Sequence, residues 1–286
     1  MVKTIIMALL IFAGMVGYDS FVKEDQPSLP PIKQEQQQGS SQGNEQDNKE
    51  DKHKEKAVKA IFFALLPPQE EWPEPMQKFY IAMNLDEYID PIRQRPDWTP
   101  LSSMSQDVPR ALIAIEDHDF YNHDGVALTS IARAFLINMS AGEVLQGGST
   151  LTQQLVKNVL LTDEQSMERK VYEAILSLVM ESEYSKDEIL ELYLNTTYFG
   201  AGANGIHDAS RLYFGKAPSA LTLAEAAVIA SLPYAPSALN PLENPHECKK
   251  RQQLVLKEML RYGYINQGQQ AEAKMQVITL TNGTTM

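Results

Sequence analysis

The 286 residues include one cysteine, Cys248. A lone thiol excludes an internal disulfide, and no partner residues stand beside it at metal-ligand spacing. It reads as a small, semi-buried side chain. Basic charge is also scarce: 25 Lys and Arg stand against 37 Asp and Glu, a net charge of −12. That balance excludes general nucleic-acid binding, which needs a basic footprint. His118 and His123 are five positions apart and do not share a helix face, which excludes a zinc site built on that pair. No segment alternates apolar and polar residues convincingly over six or more positions, so a sheet is not indicated. No internal repeat is present. What remains is ample apolar material, 43% of the chain, enough for a sizeable buried core.

That material is unevenly placed. Residues 1–18 open with Lys3 and then run apolar from Thr4 to Tyr18. The run is short of the about 20 residues of a full span. No small-x-small cleavage site follows it, so it reads as an uncleaved N-terminal membrane anchor, with a signal segment as the competing reading. Residues 19–57 are close to low complexity, rich in Gln, Glu, Lys, Asp, Ser and Gly, and are expected to be a disordered polar linker. Such a tether has an r.m.s. reach of roughly 35 Å. Residues 58–96 suggest short helices and turns, punctuated by prolines such as Pro73, Pro75 and Pro91. Beyond Pro109, apolar residues recur at helical spacing over Leu112–Phe120, Val126–Met139, Leu151–Leu161, Met167–Met180, Ile189–Leu194, Leu223–Leu232 and Cys248–Tyr262. The expected fold is mainly α.

Three clusters carry groups suited to chemistry. The first runs from Glu116 and Asp117 through Phe120 and His123 to Gly125. If helical, it places Glu116, Phe120 and His123 on one face, with Gly125 as a stop. A carboxylate beside apolar Ile113 and Ile115 can serve as a general base, although alone it is an ordinary solvated acid. The second cluster is Gln146-Gly147-Gly148-Ser149-Thr150-Leu151-Thr152-Gln153-Gln154, followed by Lys157. A glycine turn into a helix start favours an anion. Thr150 with Gln153 makes a capping box, which does not account for Gln154 and Lys157 on the same stripe. The third cluster is Arg169-Lys170-Val171-Tyr172-Glu173, which alone would be a surface ion pair. Together they supply two separated carboxylates, three cations and an anion-friendly helix start. That is a kit for displacing a diphosphate from a sugar, with one carboxylate deprotonating the attacking hydroxyl and cations stabilising the leaving group.

These residues resemble the glycosyltransferase family 51 domain, the peptidoglycan glycosyltransferase or transglycosylase domain of class A penicillin-binding proteins and monofunctional transglycosylases. The pattern ED-x-x-F-x-x-H-x-G matches Glu116, Asp117, Phe120, His123 and Gly125. The pattern G-x-ST-x-TQQ matches Gly147, Ser149, Thr150, Thr152, Gln153 and Gln154, and RK-x-x-E matches Arg169, Lys170 and Glu173. Two further motifs lie at residues 189–200 and at 205–216 with 231–241. The resemblance covers residues 97–265 and leaves 266–286 as a C-terminal tail. Ser177, Met180 and Ser210 depart from the usual residues without removing a chemical group.

The resemblance implies a lysozyme-like helical fold and the polymerisation of lipid II into β-1,4 glycan strands, by inverting transfer with loss of undecaprenyl diphosphate. It implies that Glu116 is the general base and Glu173 a second catalytic carboxylate on the diphosphate side. Lys157, Arg169 and Lys170 would contact the diphosphate, and Ser149, Thr150, Gln153 and Gln154 would line the cleft. Asp117, Phe120 and His123 complete the substrate-binding set. No cofactor is required and no metal ligand is assigned, but the diphosphate side leaves room for a divalent cation, Mg or Mn. Implied partners are lipid II, the growing lipid-linked glycan, the membrane and other cell-wall synthesis proteins, with no nucleic acid. The implied location is the bacterial cell membrane, single-pass, with the catalytic domain on the extracytoplasmic side. Val126–Leu145 reads either as a membrane-touching stripe or as a core-facing helix. No transpeptidase motif set accompanies Ser20 and Lys23, so a monofunctional enzyme is expected. A lysozyme-like muramidase and a non-catalytic lipid II-binding scaffold are the rival readings.

Overall fold

The computed structural model describes residues 72, 74–127, 148–161 and 166–286. The expected anchor, the polar linker, and the stretches 58–71 and 128–147 lie outside these or nearly so. No helix among the described residues is long and apolar enough to cross a membrane. The chain divides into two units, Met1–Met83 and Asn84–Met286. The first contributes one described helix, α1 (Glu74–Met83), beside which the Trp72 and Tyr80 rings meet edge to face at 5.5 Å.

The second unit is mainly helical. It holds α2 (Leu85–Arg93), α3 (Asp107–Glu116), α4 (Leu151–Leu160), α5 (Met167–Glu183) and α6 (Lys186–Thr196). It continues with α7 (Ile206–Phe214), α8 (Leu223–Ser231), α9 (Pro245–Arg261) and α10 (Gln267–Met275). Among the described residues the only β pairing is two isolated bridges, Tyr198 with Asn204 and Thr279 with Thr285. The helices pack as two groups. α3, α8 and α9 pack against one another, and α4 packs against both α5 and α6. α8 sits at the middle of the first group: every residue from Ala224 to Ser231 is buried. A helix apolar all round has to be interior, and its alanines let neighbours approach closely. Its one charged residue, Glu225, closes a capping box with Thr222 and pairs with Lys216.

Capping sets the helix boundaries. Ser185 and Glu188 form a box that starts α6 three residues before its first apolar position, and Ser166 caps α5 through the Arg169 N–H. α7 was not legible as a periodic segment; it is nine residues long and lies between Gly205 and Gly215, both at positive φ. The helix expected over Leu112–Phe120 stops at Glu116, and Phe120–Asn122 is a separate 3-10 turn. Glu116, Phe120 and His123 therefore do not share a helix face. The cause is Asp117, whose backbone leaves the helical region at φ −155 while its side chain bonds elsewhere. After α10, residues 276–286 pack back on the body: Ile278 and Leu280 are buried, and the Thr281 N–H donates to the Tyr213 carbonyl at 3.1 Å.

Because Ala226 is fully buried on α8, Ala226→Leu should lower the melting temperature, costing about 1–3 kcal/mol of overpacking. Ala271→Leu on the exposed side of α10 should leave melting within experimental error. Equal melting of the two variants would contradict the central placement of α8.

Candidate active site

The site forms where the two helix groups meet. Asp117, just past the end of α3, is 5% exposed. Its Oδ2 accepts the N–H of Leu151, the first residue of α4, at 2.9 Å. It also accepts from His123 Nε2 at 3.0 Å. The Gly125 N–H donates to His123 Nδ1 at 3.2 Å, which fixes the tautomer with its proton on Nε2. At the same helix start, Thr150 and Gln153 form the capping box, and Thr150 Oγ1 donates to the Gly125 carbonyl at 2.6 Å. Gly125 is irreplaceable on two counts: its φ is +89, and a Cβ there would lie 2.7 Å from the Ser177 carbonyl oxygen. The helix start expected to attract an anion is thus already served by the protein's own Asp117 carboxylate and by Thr150. Gln153 is a buried cap, and Phe120 is fully buried.

Glu116 closes α3 and is only partly accessible. Gln154 Nε2 on α4 donates to its Oε2 at 3.1 Å, and Tyr193 Oη on α6 donates to Gln154 Oε1 at 2.9 Å. The two bonds fix the Gln154 amide, because Tyr193 supplies a proton and a carboxylate only accepts. Burial pushes the Glu116 carboxyl above its usual pKa. The Gln154 bond and the charges of Arg251 and Lys157 oppose that shift, while Asp117 adds to it. Its place at a helix C-terminus also disfavours the charged form. Burial, with the Glu116 charge, raises Tyr193 well above the ordinary tyrosine range, so it stays a proton donor.

Two of the cations flank α4, Lys170 at its start and Lys157 in its last turn. Lys170 Nζ donates to Ser149 Oγ at 2.9 Å and pairs closely with Glu173, which is 2% exposed. A buried carboxylate requires such a partner. Arg169 Nε, in the same turn, is buried with no hydrogen-bond partner among the described residues. Lys157 is exposed on α4. Among the described residues no group of three or more His, Cys, Asp or Glu side chains is placed to hold a metal ion.

Sequence reasoning missed several supporting groups. Tyr193 stands inside an apolar motif, so nothing local marks it out. Arg251 stands in the basic run Lys249-Lys250-Arg251, so nothing local marks it out either. Lys186 donates to the His123 carbonyl at 2.5 Å and to Glu181 at 2.8 Å, and lies over the Phe120 ring; Glu181 accepts from Thr152 at 2.5 Å. This network braces the 117–125 turn from behind.

A carboxyl whose folded pKa lies above its unfolded value contributes stability below the unfolded pKa and loses it as pH rises through the folded pKa. Ionised Glu116 therefore costs folding free energy at neutral pH. Glu116→Gln, which keeps the shape, should melt higher than the parent at pH 7.5, and the difference should vanish toward pH 4. A variant that melts lower at pH 7.5 would contradict the desolvated setting.

Residues 84–260 match the family described as Transglycosylase. A provisionally named transglycosylase of Cupriavidus necator is 44% identical over 188 residues, covering 66% of this chain and 81% of that one. Penicillin-binding protein 1A of Aquifex aeolicus is 43% identical over 187 residues, 65% of this chain and 26% of that protein. The crystal structure of penicillin-binding protein 1A from Haemophilus influenzae matches 46% of this chain and 16% of that one at 32% identity; its TM-score of 0.32 leaves the fold to be argued from the helices themselves. The chain spans most of the first relative and about a quarter of the Aquifex protein. With 177 consecutive residues inside the family match, the chain belongs to the transglycosylase family and is a glycosyltransferase acting in peptidoglycan synthesis.

Proposed function

We propose that the protein polymerises lipid II, with Glu116 as the general base. The acceptor is lipid II and the donor is the growing lipid-linked glycan. The acceptor 4-hydroxyl loses its proton to Glu116 and attacks the donor's anomeric carbon. The bond from that carbon to the diphosphate breaks, undecaprenyl diphosphate leaves with the electron pair, and a β-1,4 linkage forms with inversion. The observation that carries this reading is the Glu116 carboxylate, partly desolvated and aimed by Gln154 and Tyr193. A positioned, raised-pKa carboxylate suits proton abstraction near neutral pH.

Lys157, Arg169 and Lys170 take the diphosphate in this scheme, Arg169 with a buried donor still free. Glu173 orients Lys170 and so shapes the leaving-group side. A divalent cation there would be held chiefly by the diphosphate, with Glu173 the carboxylate at hand among the described residues; no step depends on it. Ser149 and Gln154 face substrate directly, whereas Thr150, Gln153, Asp117, Phe120 and His123 serve by shaping the helix start and the turn. The substrate's lipid places the work at a membrane surface, with residues 1–18 as the single-pass anchor and the catalytic unit outside. Peptide cross-linking is not assigned to these 286 residues, which contain no transpeptidase motif set.

Detergent-solubilised full-length protein given labelled lipid II should form moenomycin-sensitive polymer longer than a disaccharide unit. Glu116→Gln should reduce the rate by at least about 10²-fold, the scale of general base catalysis. Lys157→Ala should weaken donor use. Binding of lipid II without polymer would favour a scaffold, and clearing of a cell-wall suspension would favour a muramidase.

A further inference from the structure

Lys186 is the first residue of α6, and a cation at a helix N-terminus stands against the helix dipole. The helix has no local need of it, since Ser185 and Glu188 already form the cap. Its side chain is nevertheless only 19% exposed. The ammonium donates to the His123 carbonyl at 2.5 Å and to Glu181 Oε1 at 2.8 Å, and it lies 4.5 Å from the centroid of the Phe120 ring. Glu181, near the end of α5, has a side chain 6% exposed and accepts from Thr152 Oγ1 on α4 at 2.5 Å. This ion pair therefore joins α4, α5, α6 and the turn 117–125. A buried pair adds little net stability, because desolvation offsets the attraction. What it supplies is geometry: a charged donor fixed by Glu181 and aimed at a backbone carbonyl.

The carbonyl belongs to His123, whose ring donates from Nε2 to Asp117 at 3.0 Å. The Gly125 carbonyl, in the same turn, accepts from Thr150 at 2.6 Å. These two bonds tie the turn to the start of α4, and Lys186 ties it to the corner between α5 and α6. We propose that Lys186, held by Glu181, is a positioning residue for the glycosyl transfer: its bond to the His123 carbonyl sets the 117–125 turn, and with it the Asp117 junction beside which Glu116 is placed. This rests on Glu116 being the base. The contacts are continuous. Lys186 holds the His123 backbone, the His123 ring holds Asp117, and Asp117 holds the start of α4, the helix whose Gln154 donates to Glu116. A shift of the turn moves the base relative to the amide that aims it. A misplacement of about 1 Å that originates far from the chemistry can cost about 10²-fold in rate.

Removing Lys186 alone would strand the buried Glu181 charge and report only on stability. The test is therefore a double variant of the full-length protein, Lys186→Met with Glu181→Gln, which removes both charges and keeps an acceptor for Thr152. It should melt near the parent. Its kcat for lipid II polymerisation should fall by about 10-fold or more, with KM for lipid II little changed. Proton–nitrogen NMR of histidine-labelled protein reads the turn itself: the His123 Nε2 proton, sheltered by Asp117 in the parent, should exchange faster with solvent in the variant. Parent-like kcat in the folded double variant would overturn the proposal, and so would a lower kcat with the His123 proton unchanged. Should that protein not fold, Lys186→Gln with Glu181→Gln replaces it. The Gln amide nitrogen ends one atom short of the ammonium, and parent-like kcat there would overturn the proposal equally. Full activity in Glu116→Gln would sink the base assignment itself, whereas an inactive Glu116→Gln beside a parent-like double variant would remove only the role of Lys186.

Discussion

The site depends on one buried carboxylate, Asp117. It accepts the first N–H of α4 and the Nε2 proton of His123, and so fastens the end of one helix group to the start of the other. A carboxylate at a helix N-terminus is favourably placed, which makes the junction stiff as well as connected. Glu116 precedes it in sequence and is thereby set opposite Gln154. Without that junction, α3 and α4 would have no fixed register, and a base on one helix could not be aimed by an amide on the other.

The two acids at positions 116 and 117 show how context divides identical chemistry. Asp117 faces a helix start and a histidine N–H and is consumed by structure. Glu116 faces a helix end, loses water, and among the described residues has one direct donor, Gln154. The first arrangement stabilises the fold, and the second costs stability in exchange for a reactive carboxylate. The cations are segregated in the same way. Lys170 is spent on Glu173 and Ser149, while Arg169 keeps a free buried donor on the leaving-group side.

Much of this was legible in the sequence. Apolar periodicity located most of the helices, and the capping box at Thr150 and Gln153 was read correctly because it is local chemistry. The helix through Phe120 was misread, because a long-range bond from Asp117 to Leu151, 34 positions away, overrides local periodicity. At the start of α4 the Leu151 N–H is taken by the Asp117 carboxylate, which sequence order does not place nearby. Tyr193 and Arg251 were hidden because an aromatic in an apolar motif and an arginine in a basic run look ordinary until their neighbours are known.

The most direct test of the account is to titrate the Glu116 carboxyl by carbon-13 NMR in labelled protein, identified by its loss in Glu116→Gln, and to overlay that curve on the acid limb of kcat/KM for lipid II polymerisation. The account predicts that the two coincide and that both lie above the ordinary glutamate range. A carboxyl that titrates as an exposed glutamate, or a rate indifferent to its titration, would contradict the assignment of Glu116 as the desolvated base on which the site is built.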